Sequence, residues 1–105
     1  FELQYVYFGS ASLMQPWPKN CLYGASKAAL ESFALSLHKD IRPKGGKVWL
    51  YKLGSVDTSF FNSISNHLPK AKMMQSSIVA DIVVKNLSCP QEVYSPIITL
   101  LPDHL

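Results

Sequence analysis

The stretch from Tyr23 to about Ile41 carries a helical pattern, and it lies between two runs that read as strands. Ala25, Ala28, Ala29, Phe33, Leu35 and Leu37 crowd successive turns, and alanine and leucine are strong helix formers. Pro43 and the Gly45-Gly46 pair stop this helix. Ahead of it, the run from Phe1 to Phe8 is rich in aromatics and holds Val6, which reads as a mostly buried strand. Behind it, Lys47 to Leu53 alternates enough to be a second strand. A strand, a helix and a strand in succession imply a βαβ unit and a parallel sheet.

The rest of the chain continues the alternation. Ile78 to Leu87 has apolar residues at helical spacing and predicts a second helix. The region from Glu92 to Leu101 opens with a short third strand, and Pro96 places it at an edge or a strand end. Ser59 to about Ser77 follows no single period, and a long connection in a compact domain is usually functional or mobile. It holds Phe60, Phe61, Met73 and Met74. Right-handed crossovers put both helices on one face of the sheet unless the strand order reverses.

The totals set the scale. With 105 residues the chain is one small domain at most. A hydrophobic content of 48% excludes a disordered chain. The net charge of +3 comes from scattered lysines, which read as a solvated surface and not as a nucleic-acid patch. Cys21 and Cys89 make neither a disulfide framework nor a metal site, and read as reduced thiols of an intracellular, cytoplasmic protein. His38, His67 and His104 lack ligand spacing. No apolar run approaches a membrane span and no signal peptide is visible. The chain begins at Phe1 and not at Met, as a processed chain or a piece of a longer one would.

Tyr23 and Lys27 are four residues apart and share a helix face. A phenol ordinarily titrates near pKa ~10, and a neighbouring cation favours the phenolate. Such a pair can exchange a proton with a substrate oxygen near physiological pH. A bare pair at this spacing arises easily by composition, so its context carries the argument. Ser36-Leu37-His38-Lys39 fits the Ser-x-x-Lys of some serine hydrolases, but its partner elements are missing and Ser36 and Lys39 read as polar helix positions.

The context is specific. Tyr23-Gly24-Ala25-Ser26-Lys27 resembles the Tyr-x-Ala-Ser-Lys signature of short-chain dehydrogenases/reductases. Ser10 lies thirteen residues ahead of Tyr23, after the first strand, where that family has a serine. Leu53-Gly54-Ser55-Val56-Asp57-Thr58 resembles the family's Pro-Gly-x-Val/Ile-x-Thr element at every position but the first. The resemblance implies a partial Rossmann-type, doubly wound parallel α/β sheet, with residues 1–105 forming the C-terminal catalytic half of such a domain. It implies an NAD(P)-dependent oxidoreductase that interconverts a carbonyl and an alcohol by hydride transfer. Tyr23 would be the acid/base, and Lys27 would lower its pKa and hold the nicotinamide ribose. Ser10, with Ser12 as the near alternative, would bind the substrate oxygen. Val56 and Thr58 would contact the nicotinamide carboxamide, and Gly54 would let the backbone approach the cofactor. Phe60, Phe61, Met73 and Met74 fall where the family has its variable substrate loop and point to an apolar small-molecule substrate.

The same resemblance marks what is missing. The family's first half holds a glycine-rich turn for the pyrophosphate and the residue that selects NAD or NADP. No two glycines here form Gly-x-Gly, and the family's Asn-Asn-Ala-Gly element and catalytic asparagine are absent. Without the first helix of such a fold most cofactor affinity is lost. The chain alone therefore reads as an inactive fragment of the enzyme, and its first strand as one that has lost a neighbour. The alternative is a non-catalytic remnant that serves as a dimerisation module. A homo-oligomer would form through the helix carrying Tyr23, by Ala28, Leu30, Phe33 or Leu37.

Overall fold

A computed structural model describes residues 3–11, 18, 20–59, 69–88 and 94–103. The elements are β1 (Gln4–Ser10), α1 (Cys21–Ile41), β2 (Lys47–Leu53), β3 (Val56–Asp57), β4 (Met74–Gln75), α2 (Ser76–Ser88) and β5 (Ile97–Leu100). One-turn 3-10 helices stand at Arg42–Lys44 and Lys70–Lys72. β1, β2 and β5 form a parallel sheet in that order, with Gln4 opposite Lys47 and Leu50 opposite Ile97. β3 and β4 pair separately, also in parallel.

The end of α1 follows from its sequence. The chain turns at Gly45, whose φ of 85° is the left-handed conformation that favours glycine. The Gly46 N–H then reaches back to the Ile41 carbonyl at 3.0 Å and satisfies one of the helix's last acceptors. A side chain at Gly46 would stand 2.9 Å from Ile41 Cδ1, so the turn is also closed by packing.

Alternation along β2 divides the core in two. Val48 and Leu50 face α1, where they meet Ala34, Leu37 and Ile41, with Tyr7 of β1 beside them. Trp49 and Tyr51 face the other way and meet Val83 and Leu87 of α2, with Val6 and Ile98 from the flanking strands. Val48, Leu50 and Tyr51 are almost fully buried. Each such side chain contributes roughly 1.5–3 kcal/mol relative to an exposed one.

Polar groups are threaded through the second half of the core. The Trp49 indole N–H donates to Gln4 Oε1 at 2.8 Å, and the Asn86 amide donates to the Tyr51 hydroxyl at 2.8 Å.

The fold is α/β with helices on both faces of a parallel sheet, as the resemblance implied. The handedness expectation fails. Both crossovers step the same way across the sheet, from β1 to β2 and from β2 to β5, yet α1 and α2 lie on opposite faces. Two crossovers with this geometry have opposite hands, so one of them is left-handed, against the usual rule. The extra pairing of β3 with β4 precedes α2 and belongs to the second crossover.

Several boundaries also shift. β1 runs over Gln4–Ser10, so Ser10 ends the strand and does not follow it. The strand is half-buried, not mostly buried: Tyr5 and Phe8 are exposed, and among the described residues β1 has a partner on one side only. α1 starts two residues earlier than the sequence pattern indicated, and α2 extends past Ile78–Leu87 at both ends. β5 starts at Ile97, immediately after Pro96, whose carbonyl still accepts the Leu50 N–H at 2.8 Å.

Candidate active site

All three strands of the main sheet are parallel, so their carboxyl ends meet at one edge. Ligands of open α/β sheets bind beyond that edge. Ser10 ends β1 opposite Leu53, the last residue of β2, and Leu53 in turn lies opposite Leu100. Ser10 is a buried polar residue with 6% of its surface exposed.

α1 brings the other two groups to this edge. The helix opens without a side-chain cap on Asn20, whose carbonyl accepts the Gly24 N–H at 2.8 Å. Tyr23 therefore sits in the first turn, and Lys27 stands one turn further along the same face. The Ser26 hydroxyl donates to the Tyr23 carbonyl at 2.7 Å, a local bond that occupies Ser26 within the helix.

Lys27 is held from two sides. Its ammonium donates to the Phe8 carbonyl at 3.0 Å, two residues before Ser10. The same nitrogen is 5.9 Å from the centre of the Tyr23 ring, within reach of a cation–π attraction. Among the described residues Lys27 makes no ion pair. The carboxylate one turn beyond it, Glu31, is bound instead by Lys52 of β2 at 3.3 Å.

The segment after β2 completes this end of the molecule. The Gly54 N–H donates to the Leu100 carbonyl at 2.9 Å. A side chain at Gly54 would stand 3.0 Å from Pro102 Cδ and 3.2 Å from Leu101 Cδ2. The close approach that this glycine permits in the structure is thus to the tail after β5. Val56 is tied down by pairing with Met74, and Asp57 by an ion pair with Lys70 at 3.7 Å. Thr58 follows on the exposed surface.

Ser10, Tyr23 and Lys27 lie on β1 and α1 at the carboxyl edge; Gly54 follows β2 there, and Val56 and Thr58 continue on β3 and the bend after it. Phe60, Phe61 and Ser12 fall outside the described residues. Met73 is buried, and Met74 helps to line an open cavity of about 320 Å³ with Ile78, Val79, Ile82 and Leu101. That cavity belongs to α2 and the tail, not to α1. Of the residues expected to hold a second copy, Leu37 instead packs on its own sheet, whereas Phe33 is 55% exposed. Two residues of this region carried no motif: Glu31 and Lys52. The signal for Lys52 was its parity with Val48 and Leu50, which sets a lysine on the α1-facing side of β2, where a carboxylate must meet it.

Ser10, Tyr23 and Lys27 thus stand at the carboxyl edge of a parallel sheet. A family model described as short chain dehydrogenase matches residues 5–69, and the chain belongs to that family. An uncharacterized oxidoreductase of Staphylococcus epidermidis is 31% identical over 97 residues, which cover 92% of this chain and 41% of the relative. A short-chain dehydrogenase/reductase from Vibrio parahaemolyticus superposes with a TM-score of 0.73 at 21% identity, over 95% of this chain and 44% of the other. A short chain dehydrogenase from Burkholderia cenocepacia in complex with NADP gives 0.70 at 23% identity, again over 95% and 44%. The chain thus spans about two fifths of the length of the curated relatives it matches.

Proposed function

We propose that this chain supplies the proton-transfer half of an NAD(P)-dependent oxidoreductase that interconverts a carbonyl and an alcohol. The observation that carries the reading is the placement of the Lys27 ammonium between the Phe8 carbonyl and the Tyr23 ring, where no carboxylate of the described residues pairs with it. A bound nicotinamide dinucleotide, NAD or NADP, supplies or accepts the hydride. This chain's residues manage the oxygen and its proton. In the reducing direction the Tyr23 O–H bond breaks, and its proton goes to the substrate oxygen as the carbonyl's π electrons move onto that oxygen. Lys27 stabilises the phenolate left behind. Ser10 donates a hydrogen bond to the same oxygen and orients it.

The residues present fit only one end of the cofactor. Lys27 would hold the nicotinamide ribose, and Val56 and Thr58 would contact its carboxamide, with Gly54 beside them. The pyrophosphate needs a glycine turn opening a helix. Among the described residues the one glycine with positive φ is Gly45, which ends a helix at the opposite edge of the sheet. We therefore read residues 1–105 as the C-terminal catalytic part of the family's domain, unable to turn over alone. Its substrate is a small carbonyl or alcohol compound with apolar character, and its two cysteines suit a cytoplasmic setting. No helix of the described residues is long and apolar enough to cross a membrane. Leu22, 84% exposed, and Phe33 favour a second reading in which α1 also meets another copy of the chain.

Fluorescence titration of the 105-residue chain with NADPH and NADH tests the incompleteness: no saturation is expected up to millimolar cofactor. Saturable micromolar binding would overturn it. Fusion behind the amino-terminal portion of the Staphylococcus relative tests the chemistry. Tyr23→Phe in that fusion is expected to lower carbonyl reduction by about 10²-fold or more, with cofactor binding kept.

A further inference from the structure

We infer that Lys52 and Glu31 are positioning residues for the Tyr23–Lys27 pair: Lys52 binds Glu31 and so keeps that carboxylate off Lys27. This inference rests on the reading of Tyr23 and Lys27 as the proton-transfer pair.

Tyr23, Lys27 and Glu31 follow one another at intervals of one helical turn along α1. A glutamate four residues after a lysine is within reach of it on a helix, although this order pairs less strongly than the reverse. Paired in this way, Lys27 would be drawn from the Phe8 carbonyl toward the carboxyl end of the helix, and its charge would be spent on Glu31. In the structure it is not. Glu31 is taken by Lys52 at 3.3 Å, and the two side chains are only 25% and 16% exposed, so the pair is partly shielded from solvent.

Lys52 can reach Glu31 because of what lies beneath its stem. It stands opposite Gly9 in the parallel ladder, and its Cγ lies 3.9 Å from the position a Gly9 side chain would take. Leu50 Cδ1 lies 3.3 Å from the same position. Gly9 leaves this surface of β1 low, between Phe8, which holds Lys27, and Ser10. The lysine stem crosses here to α1. One ion pair thereby ties α1 to the carboxyl end of β2 and holds the carboxylate one turn from Lys27 away from it.

The test uses the 105-residue chain labelled with ¹⁵N at lysine Nζ and ¹³C at phenylalanine carbonyls. Lys27→Met and Phe8→Leu assign the two signals. Lys52→Met is expected to shift both, because the freed Glu31 draws Lys27 away. Adding Glu31→Gln is expected to return both to their original positions, and Lys52→Arg to leave them there. Unmoved signals in Lys52→Met overturn the inference. So does a double variant that fails to restore them, since Lys52 would then matter only for packing. Glu31→Gln alone guards against a Lys52→Met chain that does not fold. It is expected to move the Lys52 signal and leave Lys27 unchanged, and a shift at Lys27 overturns the inference. These signals are read without cofactor or turnover. A Tyr23→Phe fusion that keeps its activity would therefore count against the catalytic reading alone.

Discussion

The Tyr94 hydroxyl takes both backbone groups of Val48: it accepts the N–H at 2.9 Å and donates to the C=O at 2.6 Å. It occupies the side of β2 on which the Pro96 carbonyl accepts the Leu50 N–H. A side chain thus supplies the rung that precedes the first backbone rung between β2 and β5. The hydroxyl's single hydrogen goes to Val48, so the His38 Nδ1 that lies 2.9 Å away must be the donor in that contact. Arg42 and Lys47 both lie over the Tyr94 ring, each 5.1 Å from its centre.

Tyr94→Phe removes this rung and leaves the Val48 N–H and C=O in place without it. An unsatisfied buried polar group costs about 1–3 kcal/mol. The variant is expected to lose about 2–4 kcal/mol of unfolding free energy on that basis, read from the urea midpoint at unchanged slope.

The same hydroxyl makes stability fall in alkali. Burial is the largest influence on it and pushes the Tyr94 phenol above its ordinary 10.0, against smaller downward pulls from the Val48 bond and from Arg42. The unfolded chain therefore releases this proton first. The stabilisation is fully present below the unfolded value and is lost as the pH rises through the folded one. Unfolding curves of the parent and Tyr94→Phe chains are expected to be separated by a constant gap below about pH 10, by the usual phenol value, and to converge above it.

Three glycines are expected to respond differently to alanine. Nothing lies within 4 Å of the place a Gly24 side chain would take, and Gly24 is inside α1. Gly24→Ala is expected to stabilise the chain by about 0.5–1 kcal/mol. Gly46→Ala meets Ile41 Cδ1 at 2.9 Å and Ile41 Cβ at 3.2 Å. A loss of about 1–3 kcal/mol is expected there. Gly54→Ala crowds Pro102 and Leu101 and is expected to lower stability in the same way. Urea denaturation of the three variants reads all three signs.

The open edge of β1 sets solubility. Tyr5 and Phe8, 36% and 46% exposed, lie on β1, which among the described residues is paired on one side only, and Leu3 just before it is 39% exposed. Such an edge is a template for pairing between chains. Tyr5→Lys is expected to raise the concentration at which light scattering appears, with little change in the urea midpoint.

The order of strands and helices was legible because local periodicity and punctuation encode it. α1 stops where Pro43 and Gly45-Gly46 predicted. The start of α1 was less legible, since Cys21 and Leu22 carry no capping signal and Asn20 provides no side-chain cap. The pairing of Val56 with Met74 could not be read, because two-residue strands have no period and their contact is distant in sequence. The placement of α1 and α2 on opposite faces also lay beyond the sequence pattern, because residue spacing does not encode crossover hand. In the site, Tyr23, Lys27 and Ser10 were marked by motif. Tyr94 was one tyrosine among five, and no neighbouring residue announces that its hydroxyl substitutes for backbone.

The central strand has a consequence for how the molecule assembles. β2 carries a strand on each edge and a helix on each face, yet neither edge is contributed by a neighbour in sequence. Gln4 meets Lys47, and Leu50 meets Ile97, so each ladder closes a loop of roughly 45 residues. Among the described residues no hairpin exists to nucleate the sheet. Parallel pairing of this kind places folding toward the slow end, milliseconds to seconds. During that interval Trp49 and Tyr51 are uncovered, and a ribosome or chaperone would meet the chain in its most adhesive form.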